Sequence, residues 1–234
     1  MQEHVTLTID GAKIRAVKGT SVLDTAMDFG ICIPHLCHYP GLSDLGACRL
    51  CIVENVVNGK AKVTTSCTLK VEEGMVIETD SERIRGLRRN IAELLVAKAP
   101  NSRAVQDIAV RCGVTQVRYP FQNADCVLCG RCVRVCAEMW QANALGFMGR
   151  GKDRHVDFPF SRKPDFCKTC NTCIDICPMT VIPCVGPMKA GEERLCGGCE
   201  GQLTMTKDFT DSCVWCELGK GFQCTRHVNM AGQT

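Results

Sequence analysis

Eight cysteines of the chain fall into two runs with one spacing. Cys126, Cys129, Cys132 and Cys136 read C-x2-C-x2-C-x3-C; Cys167, Cys170, Cys173 and Cys177 repeat it, with Pro178 directly after. This is a spacing that holds [4Fe–4S] cubanes. Three cysteines two residues apart wrap a tight loop around one face of a cube, and the fourth, on the following helical turn, points away and reaches the other cube. The first cluster is therefore expected on Cys126, Cys129, Cys132 and Cys177, and the second on Cys167, Cys170, Cys173 and Cys136. Ala137 stands where the second run has its proline. Zinc knuckles are the competing reading, but zinc prefers C-x2-C pairs set apart over four cysteines in one run. Cross-ligation would keep the two cubes within tunnelling reach of each other.

A third set, Cys37, Cys48, Cys51 and Cys67, reads C-x10-C-x2-C-x15-C. It suits a [2Fe–2S] cluster, although plant-type ferredoxins use C-x4-C-x2-C. Gly46 and Ala47 are small enough for backbone amides to approach the inorganic sulfurs. Near the C-terminus, Cys196, Cys199, Cys213 and Cys216 read C-x2-C-x13-C-x2-C, close to a zinc ribbon. Zn2+ is the first choice there and a further Fe–S cluster the alternative, since Cys184 and Cys224 are near in sequence and tetrahedral sulfur suits either metal. Of the rest, Cys32 and Cys112 are expected as small buried hydrophobes. His35 and His38 are expected in solvent-edge or hydrogen-bonding roles, because the four-cysteine set is already complete; His227 is expected on the surface, with a ligand role in the tail as the alternative.

The elements that must position these thiols form an α+β chain. In 1–80 apolar and polar residues alternate. Val5, Leu7 and Ile9 share a face, Asp10-Gly11 makes a hairpin turn into a strand over 14–17, Ser21 caps a helix over 22–29, and Gly30 ends it. A second strand pair, 52–57 and 62–65, surrounds Asn58-Gly59. This pattern predicts a β-grasp sheet carrying the [2Fe–2S] site. In 81–119 the period becomes helical: Ile84, Leu87, Ile91, Leu94 and Leu95 recur, with Arg83, Arg85, Arg88 and Arg89 between them. Those arginines are expected on a solvated face or a docking face. Pro100 stops the helix, and a second covers about 102–111. Residues 120–188 form the two-[4Fe–4S] ferredoxin-like domain, whose intervening segment, 137–166, should be a hairpin or loop over the clusters. Residues 189–234 are a Cys-rich tail with too little apolar surface to fold without metal.

Composition agrees. There are 20 cysteines in 234 residues and aromatics are only 5%, so a large apolar core is not the whole scaffold. The start, MQEHVTLTID, lacks the basic and apolar regions of a signal peptide, and no stretch reaches membrane-spanning length. A cytoplasmic setting is expected, where cysteine patterns mean metal rather than disulfides. The net charge of +3 is mixed in sign and offers no basic stripe for nucleic acid.

The stretch IPHLCHYPGLSDLGACRLCIVE resembles the N-terminal ferredoxin domain of the large iron–sulfur subunit of respiratory NADH dehydrogenase, and equally the diaphorase small subunit of NAD-linked hydrogenases. DCVLCGRCVRVC is similar to the same families. The resemblance covers roughly 1–185 and implies docking on an NAD(P)H-binding flavoprotein. Those families carry a further cluster held by H-x3-C-x2-C-x5-C; here 98–118 contains Cys112 alone and no histidine. The resemblance therefore implies a shortened relative, such as the iron–sulfur subunit of an electron-bifurcating transhydrogenase or hydrogenase. With no glycine-rich nucleotide fingerprint and no nucleophile–base set, the chain reads as a relay without substrate chemistry. It would run between the flavoprotein and a further redox subunit, with ferredoxin as a candidate partner. A freestanding multi-cluster ferredoxin and a zinc-stapled non-redox scaffold are the alternatives.

Overall fold

The structure is a computed structural model that describes residues 3–122, 124, 126–165 and 167–179, together with the backbone of three short strands further on. Two compact units emerge, one of 1–98 with 106–122, the other of 99–105 with 123–234.

The first unit is a mixed sheet with helices. Strands β1 (His4–Ile9) and β2 (Ala12–Val17) pair antiparallel. Asp10 and Gly11 join them at φ 48° and 81°, the left-handed pair that a two-residue hairpin turn needs. Helix α1 (Val22–Asp28) starts at Ser21, whose hydroxyl accepts the Asp24 N–H at 3.0 Å. Strands β3 (Ile52–Val57) and β4 (Lys60–Thr65) form the second hairpin, β4 beginning two residues earlier than the alternation predicts. Strand β5 (Val76–Glu78) lies between β1, parallel to it, and β3, antiparallel, giving the order β2-β1-β5-β3-β4. Val5, Leu7 and Ile9 indeed share the buried face, against Val22, Leu23 and Ala26 of α1 and against Val53, Val71 and Ile77. Each fully buried Val, Leu or Ile contributes about 1.5–3 kcal/mol, so this unit has an apolar core of its own.

Helix α2 (Glu82–Lys98) buries Ile84, Ala92, Val96 and Ala97. Asp10 fixes its approach, accepting the Thr79 N–H at 2.7 Å and the Thr79 hydroxyl at 2.6 Å. The interleaved arginines do not all face water. Arg83 and Arg85 keep 61% and 55% of their side chains exposed, but Arg88 keeps 6%. The reason is position: Arg88 lies four residues after Ile84 and four before Ala92, on the apolar face. Helix α3 (Arg103–Arg111) follows the break at Pro100. Arg118, beyond it, returns to α2 and makes a forked contact with buried Glu93, 2.7 and 3.0 Å to the two carboxylate oxygens.

The second unit is built from short pieces. Helix α4 (Arg131–Arg134) widens into a π turn over Val135–Met139. Strands β6 (Gly146–Met148) and β7 (His155–Asp157) form the hairpin expected in the intervening segment, with the Arg154 guanidinium 4.2 Å from the Phe147 ring centre. Helices α5 (Cys167–Cys170) and α6 (Thr172–Asp175) are one turn each. Strands β8 (Glu193–Leu195), β9 (Gln202–Met205) and β10 (Phe222–Cys224) make a sheet in the order β10-β9-β8. No helix among the described residues is long and apolar enough to cross a membrane.

Candidate metal centres

The loop from α1 to β3 brings Cys37, Cys48 and Cys51 to one place, and Cys67 joins them just past β4. Cys37, Cys51 and Cys67 are at most 1% exposed. The thiols stand in two hydrogen-bonded pairs, Cys37 with Cys48 and Cys51 with Cys67. The hydrogen bond from Cys37 holds Cys48 down at about 6, and that from Cys67 does the same for Cys51. Their partners are raised by the same bonds and by burial. Cys37 and Cys51 also feel each other's charge, which makes the four one group. Amides supply the remaining donors: Ala47 and Cys48 to the Cys37 sulfur, Leu36, Cys37 and Leu50 to the Cys48 sulfur. Gly46 is required at its position. Its φ is +63°, and a Cβ there would lie 3.3 Å from Thr68 Cγ2.

The two histidines beside Cys37 spend ring nitrogens on the protein. His35 Nδ1 lies 2.9 Å from the Ile33 carbonyl. Buried His38 has Nδ1 2.8 Å from Asp44 and Nε2 3.0 Å from Asp24 of α1. His38 thereby ties the cysteine loop to the helix. Cys32, expected in the interior, is exposed: it lies just past the Gly30 turn (φ 73°), between Ile31 and buried Ile33. Cys112 is half-buried, and burial raises its thiol against the opposing pull of Arg88.

In the second unit the eight repeated cysteines sort into two groups. Burial pushes Cys129 up, and it feels the charges of Cys177 and Cys126. Burial pushes Cys132 up to about 12, with Cys129, Cys177 and Cys126 adding to it. The other group surrounds a cavity of about 450 Å³ lined by Cys136, Cys167, Cys170 and Cys173, with Trp140, Phe158 and Lys163 among the walls. Burial raises Cys167 and Cys173, each of which feels Cys136. Each group thus includes one cysteine of the other run. Cys132 also feels Cys173 of the other group. The π turn carries Cys136, whose sulfur accepts the Ala144 N–H at 3.2 Å. The Leu128 N–H reaches the Cys126 sulfur at 3.3 Å, and the Thr172 hydroxyl, 3.5 Å from the Cys170 sulfur, lowers that thiol.

Four of the described C-x2-C loops turn through a left-handed residue: Arg49 at φ 58°, Leu128 at 56°, Gly130 at 72° and Asn171 at 49°; the loop from Cys167 to Cys170 is a helical turn instead. Only Gly130 and Asn171 are of types that announce this conformation; for Arg49 and Leu128 the sequence holds no signal. Arg88 was missed for another reason, since charge outweighed its place on the apolar stripe.

These sites fit inorganic clusters better than single ions. Zinc draws its thiolates in to about 2.3 Å. In the second unit the sulfurs line a volume instead. The tail residues Cys196, Cys199, Cys213 and Cys216, with Cys184 and His227, lie outside the described residues, as does the side chain of Cys224.

Comparison with known proteins follows the same division. Residues 2–82 match the model of the 2Fe-2S iron-sulfur cluster binding domain. Residues 120–182 match the ferredoxin-like domain of NADH-quinone oxidoreductase subunit 3. The chain is 32% identical over 199 residues to NADPH-Fe(3+) oxidoreductase subunit alpha of Geobacter sulfurreducens, covering 74% of this chain and 23% of that one. It is 29% identical over 207 residues to NADP-reducing hydrogenase subunit HndD of Solidesulfovibrio fructosivorans, covering 74% and 35%. A crystal structure of NAD+-reducing [NiFe]-hydrogenase in the H2-reduced state superposes with a TM-score of 0.58 at 30% identity, over 66% of this chain and 74% of that one. The chain spans about a quarter to a third of the curated relatives it matches.

Proposed function

This chain belongs to the iron–sulfur family in which a 2Fe-2S cluster binding domain precedes the ferredoxin-like domain of NADH-quinone oxidoreductase subunit 3, and from that premise we propose that it relays electrons. The donor and acceptor are an NAD(P)H-binding flavoprotein subunit and a further redox subunit, in a complex of transhydrogenase or hydrogenase type that bifurcates electrons. Cys37, Cys48, Cys51 and Cys67 hold a [2Fe–2S] cluster. Cys126, Cys129, Cys132 and Cys177 hold one [4Fe–4S] cluster, and Cys136, Cys167, Cys170 and Cys173 the other. When bound, such clusters supply one-electron redox chemistry. Zinc, or a further cluster, belongs to Cys196, Cys199, Cys213 and Cys216. Thiols that must stay reduced to bind iron place the complex in the cytoplasm.

The observation that carries this reading is the cavity that gathers Cys136 of the first run with Cys167, Cys170 and Cys173 of the second. The chain's own groups suit a relay. The amides of Ala47, Leu50, Leu128 and Ala144 aimed at sulfur stabilise added negative charge. Burial of Cys37, Cys51 and Cys67 excludes water from the reacting sulfur. The names of the relatives, which couple NADPH or NAD+ to iron or hydrogen, support the choice of partners.

The test is anaerobic purification of the tagged chain from its own cells. We expect iron and sulfide for one [2Fe–2S] and two [4Fe–4S] clusters, co-purification with a flavoprotein, and bleaching of the clusters by NAD(P)H only when that flavoprotein is present. A monomer lacking partners would favour a freestanding ferredoxin. Zinc without sulfide would defeat the relay.

A further inference from the structure

Arg88 is a buried cation on the otherwise apolar face of α2. Its Nε donates to the Leu50 carbonyl at 3.1 Å and its Nη2 to the Ile52 carbonyl at 2.6 Å. These carbonyls lie on either side of Cys51. The guanidinium therefore grips the backbone of one cysteine from both flanks. A guanidinium does not shed its proton in a protein, so its charge stays. The negative groups it feels, strongest first, are Cys112, Asp80, Cys51 and Asp10. Asp80 stands 4.0 Å away with 65% of its side chain exposed, where water weakens it. Asp10 is committed to Thr79. Burial holds Cys112 in its neutral form. Cys51 is the buried sulfur whose charge the guanidinium can offset.

We propose that Arg88 is a positioning residue for the [2Fe–2S] centre, holding the Cys51 strand against α2 and setting a fixed positive charge beside that sulfur. This rests on the reading that Cys37, Cys48, Cys51 and Cys67 bind the cluster. A buried positive charge favours the state carrying the extra electron. Removing it lowers the electron affinity of this centre and leaves the cubanes unchanged. Removing the fork but keeping the charge loosens the strand and leaves the affinity nearly as it was. Arg88 thus separates two effects that a merely structural residue would change together.

The test uses the full chain, reconstituted anaerobically, with Arg88→Met, Arg88→Gln and Arg88→Lys. EPR-monitored redox titration reads the [2Fe–2S] signal, and hydrogen exchange reads the amides of 51–53. We expect the neutral variants to bind the electron at least tenfold more weakly, which for one electron is about 59 mV. Arg88→Lys should stay within about threefold of wild type on that scale while its amides exchange about tenfold faster, the measure of about 1.4 kcal/mol in local opening. A folded neutral variant with the wild-type potential overturns the proposal. Unchanged exchange in Arg88→Lys overturns it too, whether or not the neutral variants fold and whether or not iron is bound. A wild-type chain with no [2Fe–2S] signal condemns instead the reading beneath it, and the exchange measurement still judges the grip of Arg88.

Discussion

The two cluster-bearing halves hold their sulfurs in opposite ways. In the first, Cys51 and Cys67 are members of the same hydrophobic core as Leu7, Ile9, Leu23 and Ile77. The site is a continuation of a packed sheet, and its thiols already stand in pairs. In the second, the described helices α4, α5 and α6 have four residues each and β6 and β7 three. Helices so short do not form on their own, and few apolar residues such as Val135, Ala144, Ile176 and Met179 are buried there. The first half makes a site; the second is made by what its site holds. The same chemistry can therefore rest on two sources of free energy, apolar burial in one case and metal–sulfur bonding in the other.

The largest consequence concerns removal of iron and sulfide. Stripping the chain with a chelator under reducing conditions should leave slow amide exchange in β1–β5 and α2. Protection over 126–179 should vanish altogether. Hydrogen exchange with mass spectrometry gives both in one experiment. Loss of protection in the two halves together would erase the contrast, and retained protection in the second would show a core that the buried residues do not supply.

Proton release gives a smaller effect with a definite sign. Cys129, Cys132 and Cys173 are raised above the ordinary thiol value near 8.5 by burial. Ligation requires the thiolate, so insertion of each cubane expels these protons and is favoured by alkali. In the [2Fe–2S] site Cys48 and Cys51 have already lost theirs near pH 6. Between pH 6.5 and 8.5, then, cubane occupancy at limiting iron should rise more steeply than [2Fe–2S] occupancy. Equal slopes, read from EPR spin counts along a pH series, would mean that the pairing of the first site confers no advantage in assembly.

The difference between the halves also explains what could be read from sequence. The hairpins and the cap at Ser21 were legible because period-two alternation and Asp-Gly or Asn-Gly turns report on a core that the chain itself provides. Helix α2 was legible from its 3.6 period, but not the burial of Arg88, since pattern rules assign charge to water and carbonyls that accept it are visible only in three dimensions. Cys136 lines one cavity with Cys167, Cys170 and Cys173, an arrangement that the spacing suggests for a cube-shaped cluster. Illegible were the π turn that carries Cys136 and the clamp of His38 between Asp24 and Asp44. Both depend on contacts between residues that no local pattern connects.

The smallest effect sharpens the contrast most. Arg49 and Leu128 both sit in the left-handed region, inside C-x2-C loops of the two halves. A non-glycine residue there costs about 1–2 kcal/mol, part of which glycine returns as chain entropy. Replacing either by glycine should therefore gain somewhat under about 1 kcal/mol in the state where the loop is folded. For Arg49→Gly that state includes the metal-free chain, so its denaturant midpoint should rise before any iron is added. For Leu128→Gly the metal-free midpoint should stay where it is, because no folded loop exists to relieve. Its gain should appear only in the loaded protein, as cubane loss to a chelator slowed by a few fold. An equal rise in both metal-free midpoints would mean that the second half possesses its loop geometry in advance, and the division between a site that is built and a site that is induced would then not describe this molecule.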